Sequence, residues 1–207
     1  MLVFLRHKLT FLAVPKTGTT AVEMALKPHA EIVFAKNRKH ITAARYANRI
    51  APFLEETFGS RPEAVAVMRE PVEQIRSWYR YRSQPRLDDT PRSTKNISFD
   101  QFVTEVIHDD PPERAQIGSQ FSFLTNGKGE VMAEHVFSHA SAAAFHGFLS
   151  DRLKHPVEIA QRNVSPEVDA PLDEGTLARL KKARADDFAL YARIMEAGGH
   201  LHTPRIA

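Results

Sequence analysis

Two short apolar runs constrain this chain more than any other feature. Leu9 to Val14 (LTFLAV) and Ala64 to Met68 (AVAVM) carry almost no polar side chains. A strand with one face in water alternates apolar and polar residues, whereas a strand covered on both faces reads as a continuous apolar run. Each run therefore predicts a buried strand of a parallel sheet. Each also leads directly into helix-forming sequence. After the first come Pro15-Lys16-Thr17-Gly18-Thr19-Thr20 and then AVEMALK, with Ala21, Val22, Ala25 and Leu26 at helical spacing and Pro28 as the stop. After the second come Arg69-Glu70-Pro71 and a helix from Val72 to about Arg82. Pro71 falls in the first turn, where a missing N–H does no harm. Strands alternating with helices predict an α/β fold, a three-layer domain with a central parallel sheet flanked by helices.

The remaining punctuation fits one domain over residues 1–207. Ile32 to Ala35 reads as a short strand. Thr42 reads as the N-cap of a helix that turns Tyr46, Ile50, Phe53, Leu54 and Phe58 inward and ends at Gly59. Ser83 to Asn96 is polar and aperiodic, an exposed loop. Ser98 and Gln101 form a capping-box pattern ahead of FDQFVTEVI. A strand is expected within Val131 to Phe137, a helix from Ser141 to Leu153, and a short strand at Val157 to Ile159. Asn163 to Pro171 reads as a turn-rich connection. One long helix is expected from Asp173 to Ala197, with Leu177, Leu180, Phe188, Tyr191 and Ile194 inward and Gly198-Gly199 as its stop.

Charge narrows the function. The 28 basic and 25 acidic residues are mixed along the chain. That balance fits a pocket for a small polyanion better than a polynucleotide track, so no nucleic-acid partner is expected. The absence of cysteine excludes disulfides and thiolate metal sites. Arg6, His7 and Lys8 interrupt the apolar opening, unlike a signal peptide, and no run reaches the roughly 18 apolar residues of a membrane span. These features predict a soluble, cytoplasmic protein.

Lys16-Thr17-Gly18-Thr19-Thr20, between a buried strand and a helix, is a candidate phosphate loop. The first N–H groups of a helix lack intrahelical partners and carry the positive end of its dipole, so an anion is stabilised there. Gly18 lets the backbone approach that anion without a Cβ in the way. The threonines add hydroxyls and Lys16 a mobile charge. The order of residues is P-loop-like without being G-x-x-x-x-G-K-[ST]. Arg69, at the carboxyl end of the second strand, supplies a second anion site, because ligands gather at that edge of an open α/β sheet and a guanidinium matches phosphate oxygens. Ser77 lies two helical turns further on and can serve the same phosphate. A magnesium-dependent kinase or NTPase commonly places an aspartate at a strand end; here that position is Arg69.

The pair of motifs resembles a known family. FLAVPKTGTTAVEMAL resembles the 5′-phosphosulfate loop of sulfotransferases, and VAVMREPVEQIRSWYRYR resembles their 3′-phosphate motif. Lys39-His40, Asn163-x-Ser165 and DFALYARI add similarity to bacterial and Golgi-type sulfotransferases that act on carbohydrates. The resemblance implies 3′-phosphoadenosine 5′-phosphosulfate (PAPS) as donor, 3′-phosphoadenosine 5′-phosphate (PAP) as product and no metal. Lys16, Thr17, Gly18, Thr19 and Thr20 would hold the 5′ end, and Arg69 and Ser77 the 3′ phosphate. Lys16 would stabilise charge on the bridging oxygen. His40 would take the proton of a hydroxyl or amine acceptor, with Glu23 in reserve and Lys39 free to meet an anionic acceptor such as a carbohydrate. Many relatives carry arginine and glutamate where this chain has Ser138-His139, which puts any adenine or structural contact there in doubt.

Other constellations point elsewhere. Zinc on His135 with His139, or on His200 with His202, lacks cysteine and an HExxH pattern. Arg76, Trp78, Tyr79, Arg80, Tyr81 and Arg82 interleave cations with rings, as single-strand binders do; Trp78 in the core with the arginines lining an anionic pocket is the simpler reading. Arg82, Arg86, Arg92 and Lys95 gather near the Ser83–Asn96 loop, where they suit an anionic glycan or a solvated basic loop equally. A P-loop nucleotide-dependent kinase and a non-catalytic nucleotide-binding module are the competing functions.

Overall fold

A computed structural model describes residues 1–159 and 169–205. The two apolar runs become neighbouring inner strands. Strands β1 (Leu2–Phe4), β2 (Leu9–Leu12), β3 (Ile32–Val33), β4 (Glu63–Met68), β5 (His135–Ser138) and β6 (His200–His202) form one sheet in the order β3-β1-β2-β4-β5-β6. β2 pairs parallel with β4 (Leu12 opposite Ala66), and β4 parallel with β5 (Met68 opposite Ser138). β1 runs antiparallel to both β2 and β3, and β6 antiparallel to β5. The α/β class and the parallel centre hold as expected, while the sheet as a whole is mixed, with antiparallel strands at its edges. The reason is connection length. Only Leu5 to Lys8 separates β1 from β2, and Lys8 closes that turn through Leu5 at 3.2 Å; a link so short can join only antiparallel strands.

Both faces of the sheet are covered. Val3, Leu12, Ala64, Ala66, Met68 and Val136 point to one side. There they meet α2 (Ala43–Arg45), α3 (Ala51–Phe58), α6 (Gln120–Leu124) and α9 (Ala185–Glu196), through Tyr46, Leu54, Phe123, Leu124, Leu190 and Ile194. Leu2, Phe4, Leu9, Phe11, Val65, Val67 and Phe137 point the other way, onto α1 (Thr19–Leu26) and α7 (Ala142–Leu153), through Val22, Leu26, Phe145, Leu149 and Leu153. Successive strand side chains alternate between these clusters, as the pleat requires. A third apolar cluster joins α4 (Pro71–Arg82), α5 (Phe99–Val106) and α8 (Glu174–Ala183) through Ile75, Tyr79, Phe102, Val103 and Leu180.

Several local expectations hold and several do not. Thr42, Glu70, Ser98 and Asp173 cap their helices through side-chain oxygens, and Pro71 opens α4. β1 and β6 are additions. Val157 to Ile159 is not a strand: the Val157 N–H donates to the Ser150 hydroxyl at 2.9 Å, and no sheet partner is needed. The expected face of the Thr42 helix fails in part, since Phe53 and Phe58 are 53% and 50% exposed. A π-helical turn at Tyr46–Ile50 inserts an extra residue, and Pro52 supplies no N–H for the regular ladder. The face therefore rotates, burying Ala43, Tyr46, Ala51 and Leu54. The expected long final helix breaks at Arg184 into α8 and α9. The break lets buried Asp187 accept from the Phe121 N–H at 3.0 Å and turns Leu190 into the core. Asn163–Ser165 lies outside the described residues, as does most of the Asn163–Pro171 connection.

Two tight features close the structure, the first at the carboxyl edge of the sheet and the second at its amino edge. Gly199 hands the chain from α9 to β6 at φ 85, and a β-carbon there would sit 2.0 Å from the Ser141 hydroxyl. Tyr46, 1% exposed, accepts from Thr10 at 3.0 Å and donates to the Pro62 carbonyl at 2.6 Å, tying the π turn to β2 and β4. Burial pushes that phenol up to about 12. Tyr46→Phe would strand both partners, at a cost of about 1–3 kcal/mol. Thermal unfolding should show Tm lowered by about 2–10 °C, and an unchanged Tm would contradict the role given to this hydroxyl.

Candidate functional site

Parallel pairing settles where the two candidate anion motifs meet. β2 and β4 are adjacent and point the same way, so the Pro15–Thr20 loop and Arg69 leave the sheet at one edge, side by side. The loop is tightly wound. Lys16 and Gly18 have φ of 67 and 77, and a non-glycine residue at such an angle stores about 1–3 kcal/mol of strain. Gly18 caps α1 without any side-chain hydrogen bond, so the opening N–H groups of the helix have no side-chain cap. Thr17 is 3% exposed and its hydroxyl donates to the Val14 carbonyl at 2.9 Å. That hydroxyl is spent on the loop, leaving Thr17 only its N–H for a ligand. Thr19 is buried and Thr20 exposed.

Lys16 turns toward α4. Its ammonium lies 4.2 Å from the centroid of Tyr81 and 5.5 Å from that of Trp78, a cation–π platform. Burial, then repulsion from Arg69, Arg86 and Arg82, pulls its pKa down to about 8. Arg69 is placed by its own backbone. The buried Gln120 side chain accepts from the Arg69 N–H at 2.9 Å and donates to the Arg69 carbonyl at 2.8 Å. The guanidinium touches Glu73 at 3.5 Å, while Glu73 also pairs with Arg76. Burial and Arg80 pull the Arg69 pKa down, against Glu73 and Glu70. Ser77 lies between Glu73 and Arg80 on one helical face, the face that meets Arg69.

His40 is held one residue past β2. Its Nδ1 lies 2.7 Å from the Ala13 carbonyl, which only accepts, so Nδ1 carries the proton and Nε2 keeps a lone pair. The residue is exposed at one side, yet the surrounding protein lowers its pKa, with Lys39 adding to that against the Ala13 bond and Glu23. Glu23 accepts from Lys39 at 3.0 Å, so the reserve base and the expected acceptor contact are paired with each other beside His40. Of the loop cations, Arg92 pairs with Glu113 at 2.6 Å and Lys95 with Asp88 at 2.6 Å. Arg82 is buried and donates to the carbonyls of Glu113, Arg114 and Gln116, so it braces the fold. Arg86, like Arg82, acts on Lys16, and of the four it alone stacks on Tyr81, 5.0 Å away.

β5 runs parallel to β4 and ends at the same edge, with Ser138 opposite Met68. His139 follows β5 directly, beside Arg69, and its Nε2 is 3.7 Å from where a Gly18 β-carbon would stand. His135 belongs to the other end of β5. It meets His200 at 3.1 Å and stacks on His202 at 4.6 Å, and burial, then His202, pulls it down to about 4. His135 and His139 therefore do not form a pair. Among the described residues no group of three metal-ligating side chains is arranged to hold an ion, and no helix is long and apolar enough to cross a membrane. Comparison with family models, curated proteins and solved structures finds no match to the chain. The site thus stands on its own geometry.

That geometry makes an electrostatic prediction. Removing the Arg69 charge relieves repulsion on Lys16, so Arg69→Gln should raise the Lys16 pKa above about 8. Titration of the Lys16 Nζ by NMR reads this directly, and an unmoved pKa would mean that the two cations do not share a site.

Proposed function

We propose that this chain is a PAPS-dependent sulfotransferase with a P-loop-like nucleotide site. One observation carries the reading: the Lys16 loop and Arg69 leave adjacent parallel strands at one edge, close enough for Arg69 to depress the Lys16 pKa. Cations held together at a cost favour a ligand with several negative charges. PAPS carries such charge at its 5′ and 3′ ends. The N–H groups of Lys16 to Thr20 take the 5′ phosphosulfate, and Arg69 with Ser77 takes the 3′ phosphate.

Transfer needs three things from the protein. An acceptor hydroxyl or amine gives its proton to His40 Nε2 as its oxygen or nitrogen bonds to sulfur. The bond from sulfur to the bridging oxygen breaks, and the electron pair stays on that oxygen. Lys16 and the helix N–H groups stabilise the charge that collects there. His40 is suited to the base role by its pairing: Ala13 fixes the protonated nitrogen, and the lowered pKa keeps Nε2 open at neutral pH. Lys16 at about 8 remains mostly charged at neutral pH. The exposed Arg86 beside Lys16 suits an anionic acceptor, a carbohydrate among them.

Three measurements test the reading together. PAP at about a hundred times its Kd should add about 2.7 kcal/mol of stability, with no magnesium required. Lys16→Ala should cut transfer about 10²–10³-fold, and Arg69→Ala should weaken PAP more than 5′-AMP. Equal losses for the two nucleotides would remove the second phosphate site from the proposal, and magnesium-dependent ATP turnover abolished by EDTA would favour a kinase instead. PAP binding without transfer, indifferent to His40→Ala, would leave a binding module.

The pH profile carries the signs of both groups. Transfer requires His40 neutral and Lys16 charged. The acid limb of kcat/KM should therefore lie below the ordinary histidine value of about 6.5, and the alkaline limb near 8. The bound dianion stabilises the ammonium, so the alkaline limb of kcat should move higher than that of kcat/KM. His40→Ala should erase the acid limb and lower kcat about 10²–10⁴-fold.

A further inference from the structure

β5 is the third parallel strand of the central sheet, and it delivers its own side chain to the same rim. Ser138, at its end, is buried and anchored three ways. Its N–H donates to the Gly199 carbonyl at 2.8 Å. Its hydroxyl meets the Tyr191 hydroxyl at 3.1 Å and accepts from the Ala140 N–H at 3.2 Å. The backbone on both sides of His139 is thereby held, and Gly199 is the one residue type that allows it, since any β-carbon would strike Ser141. His139 itself has no hydrogen-bond partner among the described residues. Its Nε2 stands 3.7 Å from the position a Gly18 β-carbon would take, over the bare backbone that the phosphate loop offers to an anion. Arg69 is close enough to act on the same ring.

We propose that His139 is a third anion-holding residue, whose Nε2–H donates to the 5′ group of the donor nucleotide where that group lies over Gly18. This assignment rests on the sulfotransferase reading and deepens it. An anion seated over the Gly18 backbone lies beside an exposed imidazole whose Nε2 is 3.7 Å from the position of a Gly18 β-carbon, and an oxygen of that anion can accept from the ring N–H in place of water. The role is one of specificity. Arg69 recognises the 3′ phosphate, whereas His139 selects nucleotides that also carry charge at the 5′ carbon. A neutral donor here adds a bond without a further fixed positive charge at a rim where Arg69, Arg86 and Arg82 already act on Lys16.

The test compares two nucleotides that differ only at the 5′ end, PAP and adenosine 3′-phosphate, by calorimetry on the wild-type chain, His139→Ala and His139→Gln. His139→Ala should weaken PAP about ten- to a hundredfold and leave adenosine 3′-phosphate within twofold, while His139→Gln, which keeps a donor, retains more affinity for PAP than the alanine variant. Equal weakening of both nucleotides, or of neither, overturns the assignment while the wild-type affinities leave the sulfotransferase reading standing. A wild-type chain that binds neither nucleotide brings down both.

Discussion

The parallel pairing of β2 with β4 is the contact on which the rest depends. It is an ordinary ladder, Leu9 to Leu12 against Glu63 to Ala66, but its direction decides what the two following loops do. Run parallel, both strands end at the same edge, and Lys16 and Arg69 repel each other in a half-buried setting. Run antiparallel, they would have stood at opposite ends of a sheet six residues long at β4. On the proposed reading, that repulsion is what makes this edge receptive to an anion. Cations brought together without a permanent counterion hold free energy that an anionic ligand releases on binding.

The protein spends its inner polar groups on keeping that arrangement in place. Gln120 clamps both backbone groups of Arg69 from a helix 51 residues away. Asp187 in turn accepts from the Phe121 N–H next to Gln120, so α9 supports α6, and α6 supports the strand end. Tyr81 and Trp78 give Lys16 an electron-rich surface in place of a carboxylate. A carboxylate would have neutralised the charge, whereas ring faces stabilise the ammonium and leave it free for an anion. Glu73 is the partial exception. It sits 3.5 Å from Arg69 and closer to Arg76, a grip loose enough for a phosphate to displace.

The centre of this fold was legible in the sequence because its signals are local. Continuous apolar runs marked β2 and β4, and the residues just beyond them marked Lys16, Gly18 and Arg69. Capping side chains marked helix starts at Thr42 and Ser98. What escaped depends on distance along the chain. β1 and β6 are three residues each, too short to show a period. Gln120 carries no motif, since its role comes only from where α6 lands. The face of α3 was misjudged because a π turn changes the count of residues per turn, and periodicity assumes that count. Arg82 was placed with the acceptor loop by sequence neighbourhood, yet three carbonyls claim it. Thr17 lacks the free hydroxyl expected of it, which donates to the Val14 carbonyl instead.

Histidine shows how edge decides role in this sheet. His40 and His139 both stand at the carboxyl edge, at the ends of β2 and β5, and both have lowered pKa values led by burial. Their ring nitrogens are used in opposite senses. Ala13 engages Nδ1 of His40 and so presents Nε2 as a lone pair, which suits removal of a proton from an acceptor. Among the described residues no group hydrogen-bonds His139, so its tautomer can follow a ligand, and an anion would draw the proton to whichever nitrogen faces it. His135, three residues before Ser138 on the same strand, faces Glu63, His200 and His202 at the amino edge, away from the Lys16 loop. The same side chain thus presents a lone pair, an unengaged ring or a packed face according to which backbone carbonyl or strand end lies beside it, and only the sheet topology supplies that information.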